Sequence, residues 1–191
     1  HAQMCTCECH NLNLKKPIVD VPLPYDEAKK LLERDPTFEE TARKYFSNEG
    51  KQLTDYLQKE GREFYNLQSI GTGNLERAIA AVAMQGDKAI LLGSKNFENK
   101  VNDLARLYGV SQDIARRYVF DHETMHLSQK GKYFDDHIQA EKDVESTLSE
   151  FYNKMAKETG KPEYKAMEKI ANNRLAHVKV NYSTVSNKEN I

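Results

Sequence analysis

Apolar residues recur every three or four positions along most of the chain, with capping residues before these stretches and glycines after them. This period is typical of amphipathic helices. It predicts helices over residues 25–34, 37–50, 52–60, 74–85, 96–108, 112–130, 137–159 and 163–180. Strands are predicted only over 64–70 and 88–92, where short β-capable runs end at glycines. The pattern therefore predicts a mostly helical α+β domain with a small sheet.

The two ends of the chain differ from its middle. Residues 1–24 form a predicted N-terminal tail in which prolines break any helix, and the apolar residues between 18 and 23 are able to lie extended on the body. Residues 25–180 are expected to form a single domain. Residues 181–191 are expected to be a C-terminal tail.

Composition and charge limit the kinds of partner that the chain is expected to bind. The 191 residues include 28 Lys and Arg against 29 Asp and Glu, so no basic excess exists to neutralise phosphates, and nucleic acid is not an expected partner. The apolar runs at 78–84 and 89–92 are far shorter than the ~20 residues that span a bilayer, so no membrane association is expected. Cys5, Cys7 and Cys9 are the only cysteines and cannot staple the domain, which favours a reducing, cytoplasmic location.

The chemistry-bearing motif lies in the predicted helix 112–130. His122-Glu123-x-x-His126 places two imidazoles on one face of the helix, about one turn apart, with a carboxylate beside them. Two neutral imidazoles at this spacing are able to hold Zn²⁺, and the carboxylate is placed to take a proton from a water that attacks a carbonyl. The motif therefore predicts metal-assisted hydrolysis with Glu123 as general base.

A catalytic zinc usually has a third protein ligand, and Glu141 is the best candidate. It falls within the apolar stripe of helix 137–159, where a carboxylate is expected to be paired or to bind a metal. Five residues define that stripe, namely Val144, Leu148, Phe151, Tyr152 and Met155. If a short turn folds the two helices antiparallel, His126 and Glu141 lie at the same level. Glu145 or His137 as the ligand, or a Lys partner for Glu141, stay open as alternatives.

Glu145 lies one turn beyond Glu141, at the edge of the same stripe. Metal-bound imidazoles commonly donate their other N–H to a carboxylate, which fixes the tautomer. We therefore expect Glu145 to orient His122 or His126, although a solvated Glu145 is an equal alternative.

These residues resemble a known family. His122-Glu123-x-x-His126 followed by Glu141-x-x-x-Glu145 is similar to the gluzincin branch of the zincin metallopeptidases, with Glu145 in the place of an orienting Asp. The resemblance covers residues 112–152 and implies a zincin-like domain that hydrolyses a peptide or protein substrate. It implies Zn²⁺ held by His122, His126 and Glu141. There is a fainter similarity to ImmA/IrrE-type peptidases.

The family also implies an edge strand that pairs with substrate, for which 88–92 is the candidate, and a Tyr or His that stabilises the oxyanion. The candidates for that last role are His177, Tyr133, Tyr152 and Tyr164.

Two other interpretations belong to different classes. The chain is a non-catalytic, zinc-stabilised regulatory or interaction protein if a fourth ligand closes the site, and a helical binding module if it binds no metal. A separate question concerns Cys5, Cys7, Cys9 and His10, which form either a reduced tail, a second zinc site, or a segment whose thiolate blocks the catalytic metal.

Overall fold

A computed structural model describes the backbone of residues 18–189 and the side chains of residues 18–178. It is an α+β fold that is mostly helical, with one three-stranded sheet. The elements in chain order are α1 (Tyr25–Leu31), α2 (Pro36–Ser47), α3 (Glu49–Lys59), β1 (Asn66–Gly73), β2 (Ala80–Gln85), β3 (Lys88–Ser94), α4 (Phe97–Tyr108), α5 (Gln112–Leu127), α6 (His137–Thr159) and α7 (Pro162–Glu189). None of the helices in this described part is long and apolar enough to cross a membrane.

The sheet has the order β1-β3-β2, with β1 parallel and β2 antiparallel to β3. Alternate residues face opposite layers. Ala81, Ala83 and Ile90 pack on the side of α1, whereas Ala80, Val82 and Leu91 pack in the larger core with α2 and α5. Because β3 is the central strand, the prediction that 88–92 forms a substrate-pairing edge was wrong, and β2 is the edge strand packed against α5.

The predicted helix 74–85 was also wrong, because residues 80–85 form strand β2. Gln85 pairs with Lys88 across a two-residue turn in which Gly86 has φ +62°, a conformation that favours glycine. Alanine favours helices intrinsically, but here its small side chain lets helices cover both faces of the strand. Tertiary packing therefore overrides local propensity in this segment.

The helical part follows the sequence pattern more closely. Ser111 and Asp136 accept N-cap hydrogen bonds from the first turns of α5 and α6, as the pattern predicts. Helix α5 ends at Leu127, three residues earlier than predicted, and α7 continues to Glu189, beyond its predicted end near residue 180. Helix α6 packs against α5 and α7, which places the residues of the predicted site in the interior.

The described part of the predicted N-terminal tail, residues 18–24, lies on the domain. Ile18 forms a parallel bridge to Ala78, and Val19 is fully buried in the main core. This path brings Asp20, which is also buried, between the edge of the sheet and helix α5.

Candidate metal centre

Helix α5 carries the two imidazoles and the candidate base into the interior. His122 and Glu123 have no solvent exposure, and the ring of His126 is mostly buried. The two ring centroids are 5.1 Å apart. The i, i+4 spacing thus puts both rings on one helix face, close enough for their nitrogens to reach a common point.

Helix α6 brings Glu141 to the same point. Its carboxylate oxygens lie 3.2 Å from Nε2 of His122 and 2.6 Å from Nε2 of His126. Of the three candidates for the third ligand, Glu141 is the one grouped with both imidazoles, whereas Glu145 lies behind His122 and His137 lines a neighbouring cavity.

A fourth donor, Asp20, comes from the N-terminal segment and was missed by sequence reasoning. Its Oδ2 lies 3.2 Å from Nε2 of His122 and 2.7 Å from Nε2 of His126. The available signal was an acidic residue within the apolar run Ile18-Val19-Asp20-Val21, since a carboxylate buried with such neighbours needs a partner.

The donor set fits a divalent cation. One ligand atom from each of Asp20, His122, His126 and Glu141 lies within 4.8 Å of the other three. Both Nε2 atoms approach carboxylate oxygens, yet among the described residues neither has a well-directed hydrogen bond. Two buried carboxylates, those of Asp20 and Glu141, face the two imidazoles, so neutral rings would leave excess negative charge that a divalent ion offsets. Imidazole nitrogen and carboxylate oxygen are ligands that Zn²⁺ accepts.

The charges within this group shift one another's pKa values strongly. Burial alone would lower the pKa of His122 and His126, but the neighbouring Asp20 and Glu141 raise both above 6.5. Burial alone would raise the pKa of Asp20, whereas the two rings hold it well below its usual range. Protons and a cation therefore compete for the same nitrogens, and metal binding would release protons.

Glu123 has a different environment from the four grouped donors. Both of its carboxylate oxygens are buried, and neither has a hydrogen-bond partner within the part of the chain that the structure describes. Burial and then the negative charge of Asp20 raise its pKa well above 4.5. A buried carboxylate without a partner and with a raised pKa is suited to accept a proton from water.

His122 lies beside Glu145, the residue that the sequence predicts to orient one of the two rings. Nδ1 of His122 lies 3.1 Å from Oε2 of Glu145. Tyr118 donates its hydroxyl to both oxygens of that carboxylate, at 2.5 and 2.6 Å, and Nε of Arg174 lies 3.2 Å from Oε2. Nδ1 of His122 thus faces the Glu145 carboxylate and lies 3.4 Å from the Tyr118 hydroxyl, an environment that favours a proton on Nδ1. This leaves Nε2 facing Asp20 and Glu141. Tyr118 and Arg174 were not identified from the sequence.

His126 is oriented by Gln129, another residue that sequence reasoning missed. The Gln129 amide donates to the Ala140 carbonyl and to Asp143, at 2.9 Å each, so its oxygen must face the ring. That oxygen lies 2.9 Å from Nδ1 of His126. Nδ1 is therefore the donor, and in the neutral ring Nε2 carries no proton. Two unrelated partners thus select the same tautomer in both rings.

A cavity of about 440 Å³ opens beside His126. Strand β2 lines one side of it with Val82 and Met84, and the turn between α5 and α6 lines another with Lys132 and Tyr133. The cavity gives the centre a side on which an extended ligand is able to lie.

Of the four candidates for stabilising the oxyanion, one lines the cavity and the other three have hydrogen-bond partners elsewhere. Tyr133 lines the cavity. Tyr152 donates to the buried carboxylate of Asp121, and Tyr164 donates to the exposed Gln52. The exposed ring of His177 contacts the carbonyl of Asn173 in its own helix. Tyr133 is the candidate whose position suits the role.

Cys5, Cys7, Cys9 and His10 lie outside the described residues, so their predicted roles stay predictions. No protein-family model, no curated protein and no solved structure matches this chain.

Proposed function

We propose that this chain is a zinc-dependent metallopeptidase of the zincin type, with the gluzincin arrangement of ligands. The observation that carries the proposal is the orientation of the two rings. His122 and His126 each turn Nδ1 toward an acceptor, Glu145 and Gln129 respectively, and turn Nε2 toward Glu141, which is the arrangement a shared metal requires.

The proposed roles follow from these positions. His122, His126 and Glu141 would hold Zn²⁺, which supplies Lewis-acid polarisation of a carbonyl and acidifies water when it is bound. Glu123 accepts a proton from the attacking water and returns it to the leaving amine. Its raised pKa supports this role, because a carboxylate that titrates nearer neutrality is able to act in both directions.

Glu145 and Gln129 would act as positioning residues that keep both rings in the metal-binding tautomer. Neither residue belongs to the group of four donors, and hydrogen bonds keep each in place. Tyr118 and Arg174 donate to Glu145, and Gln129 donates to Asp143. This support means that the ligands are preorganised, which a catalytic metal site needs.

One observation favours a second candidate function, a non-catalytic zinc-stabilised regulatory or interaction protein. Asp20 is a fourth donor, and four protein ligands are typical of closed structural zinc sites, whereas catalytic sites keep one position open. Against this alternative stands Glu123, because a buried carboxylate that has no hydrogen-bond partner among the described residues is costly and is not needed in a structural site.

The test is Glu123→Gln, with the exposed Glu150→Gln as matched control. Each protein is loaded with zinc and incubated with a mixture of peptides whose fragments are identified by mass spectrometry. The assay is repeated with Asp20→Ala introduced into the wild type and into both variants. Asp20 would be a fourth ligand, and a tetrahedral ion with four protein ligands has no position for water.

We expect Glu123→Gln to bind zinc like the wild type and to cleave peptides at least about 100-fold more slowly, while Glu150→Gln cleaves normally. Retained turnover in Glu123→Gln would remove this residue from the mechanism. Bound zinc without cleavage by any of the proteins would favour the regulatory alternative.

A further inference from the structure

The N-terminal segment reaches the metal centre from outside the helical pair that carries the other ligands. We infer that Asp20 is a displaceable fourth ligand and that residues 20–24 occupy the substrate's place, so that the described conformation is a latent form of the enzyme. This inference rests on the proposed function and concerns the regulation of the same site.

The segment is attached to the edge of the sheet by its backbone. The carbonyl of Ile18 accepts a hydrogen bond from the Ile79 amide at 2.9 Å, and the carbonyl of Val19 accepts from Ile79 at 3.2 Å and Ala80 at 3.0 Å. A peptide that paired with the start of β2 would need these same amide groups. The segment therefore already occupies the strand edge beside the site.

The side chain of Asp20 lies at the position that a fourth metal ligand would take. Its Oδ2 contacts Nε2 of both His122 and His126, on which Glu141 also converges. Two imidazoles and two carboxylates saturate a tetrahedral ion, so a water has no position while Asp20 is bound. Glu123 meanwhile lies beside the group, and neither of its oxygens has a hydrogen-bond partner among residues 18–178. The candidate base Glu123 is therefore in place, while Asp20 would fill the position that the attacking water needs. Both features fit one enzyme if Asp20 leaves the metal before the reaction.

Residues 20–24 also form one wall of the approach to the centre. All five line the cavity of about 440 Å³, together with Val82 and Met84 of strand β2. Val21 and Leu23 are half-buried, and Pro22 and Pro24 are exposed, so the segment lies over the surface rather than within the core. A substrate that paired with β2 from its start would have to displace the segment from the Ile79 and Ala80 amides and push this wall aside.

Asp20 is also the ligand that is able to move. His122, His126 and Glu141 lie within long packed helices, whereas residues 20–24 form neither helix nor strand. A change in backbone angles between Val19 and Tyr25 would withdraw the carboxylate without unpacking α5 or α6. Such a segment is expected to open at lower cost than the helical core.

The experiment measures access to the metal independently of any peptide. The zinc-loaded wild type, Asp20→Ala and Asp20→Asn are titrated with acetohydroxamic acid, a small chelating zinc ligand, and the Co²⁺-substituted forms are followed by their visible absorption spectrum. Exposed Asp26→Ala is the matched control. Asp20→Asn preserves side-chain volume, and cooperative urea unfolding shows that each variant is folded.

We expect both Asp20 variants to bind the hydroxamate roughly 10-fold more tightly or better than the wild type, because they lack a tethered competitor for the metal. Peptide cleavage should rise by a similar factor, and Asp26→Ala should behave like the wild type. Equal hydroxamate affinity in all four proteins would overturn the inference and leave the proposed function to the Glu123→Gln test. Loss of zinc from both Asp20 variants would make Asp20 a structural ligand and also overturn it. A wild type that binds no zinc would refute the proposed function itself.

Discussion

Tyr118→Phe tests whether the residues behind His122 control the affinity for zinc. The substitution removes one hydroxyl from a fully buried ring and leaves the ring's volume almost unchanged. That hydroxyl donates to both oxygens of Glu145, at 2.5 and 2.6 Å, and the Glu145 carboxylate in turn lies 3.1 Å from Nδ1 of His122. Without the hydroxyl, the Glu145 carboxylate keeps the hydrogen bond from Arg174 but is less firmly placed beside His122.

Two magnitudes follow from this geometry. A hydrogen bond to a charged group contributes about 1.5–3 kcal/mol, so the free energy of unfolding of the metal-free protein should fall by about 2 kcal/mol. Loss of a residue that orients a metal ligand typically weakens metal binding by about 10–100-fold, which corresponds to about 1.4–2.7 kcal/mol. The zinc-loaded protein should therefore lose more stability than the metal-free protein, and the difference should match the loss of zinc affinity.

The assays are urea unfolding with and without zinc, and competition for zinc against a chromophoric chelator. Tyr152→Phe is the matched control, because Tyr152 is equally buried and donates across the same pair of helices to a buried carboxylate, that of Asp121 in α5, at 2.7 Å. We expect this control to lose stability but to keep zinc affinity within about twofold. Unchanged zinc affinity in Tyr118→Phe, or an equal loss in both variants, would refute the proposed role of Glu145.

Two further predictions concern the support of the fold. Asp143 accepts two hydrogen bonds from Arg62 at 2.7 Å, and although burial raises its pKa, these bonds lower it below 3.8. Its stabilisation is therefore complete above the unfolded pKa and lost as pH falls through the folded pKa. Asp143→Asn should unfold about 1.5–3 kcal/mol more easily at pH 7, and the difference from the wild type should shrink as pH falls below 3.8. The exposed Asp113→Asn should match the wild type in urea titrations at each pH. Gly71→Ala would put a Cβ atom 2.4 Å from the Glu33 carbonyl oxygen, which is held by backbone pairing to Thr72, so urea unfolding should show a loss of about 1–3 kcal/mol. Gln68→Ala on the exposed face of the same strand should change stability by less than about 0.5 kcal/mol, and an equal loss in both would contradict the close approach.

The helical pair was predictable from the sequence because its determinants are local. Capping residues and a 3.6-residue period defined α5 and α6, and the same period placed His122, His126 and Glu141 on faces that meet across a short turn. Local rules also indicated Glu145, which lies one turn from Glu141 on the same helix.

Residues contributed by distant segments were not predictable in this way. Asp20 reaches the site only because Val19 is buried and its carbonyl pairs with the edge of β2, a strand that alanine-rich sequence made look helical. Gln129 and Arg174 have no distinguishing pattern, since their roles depend on how the turn after α5 and helix α7 pack against the ligands. Tertiary contacts decide these positions, and a single sequence does not encode them as a period or a motif.

The most direct test of the central claim is metal content by elemental analysis. The wild type, His126→Ala and the control His177→Ala, whose ring is exposed on α7, are purified and dialysed against zinc and then against metal-free buffer. The shared-metal site predicts one zinc per chain in the wild type and in His177→Ala, and a zinc affinity at least about 100-fold lower in His126→Ala. A wild type without stoichiometric metal, or a His126→Ala protein that retains it, would contradict the account.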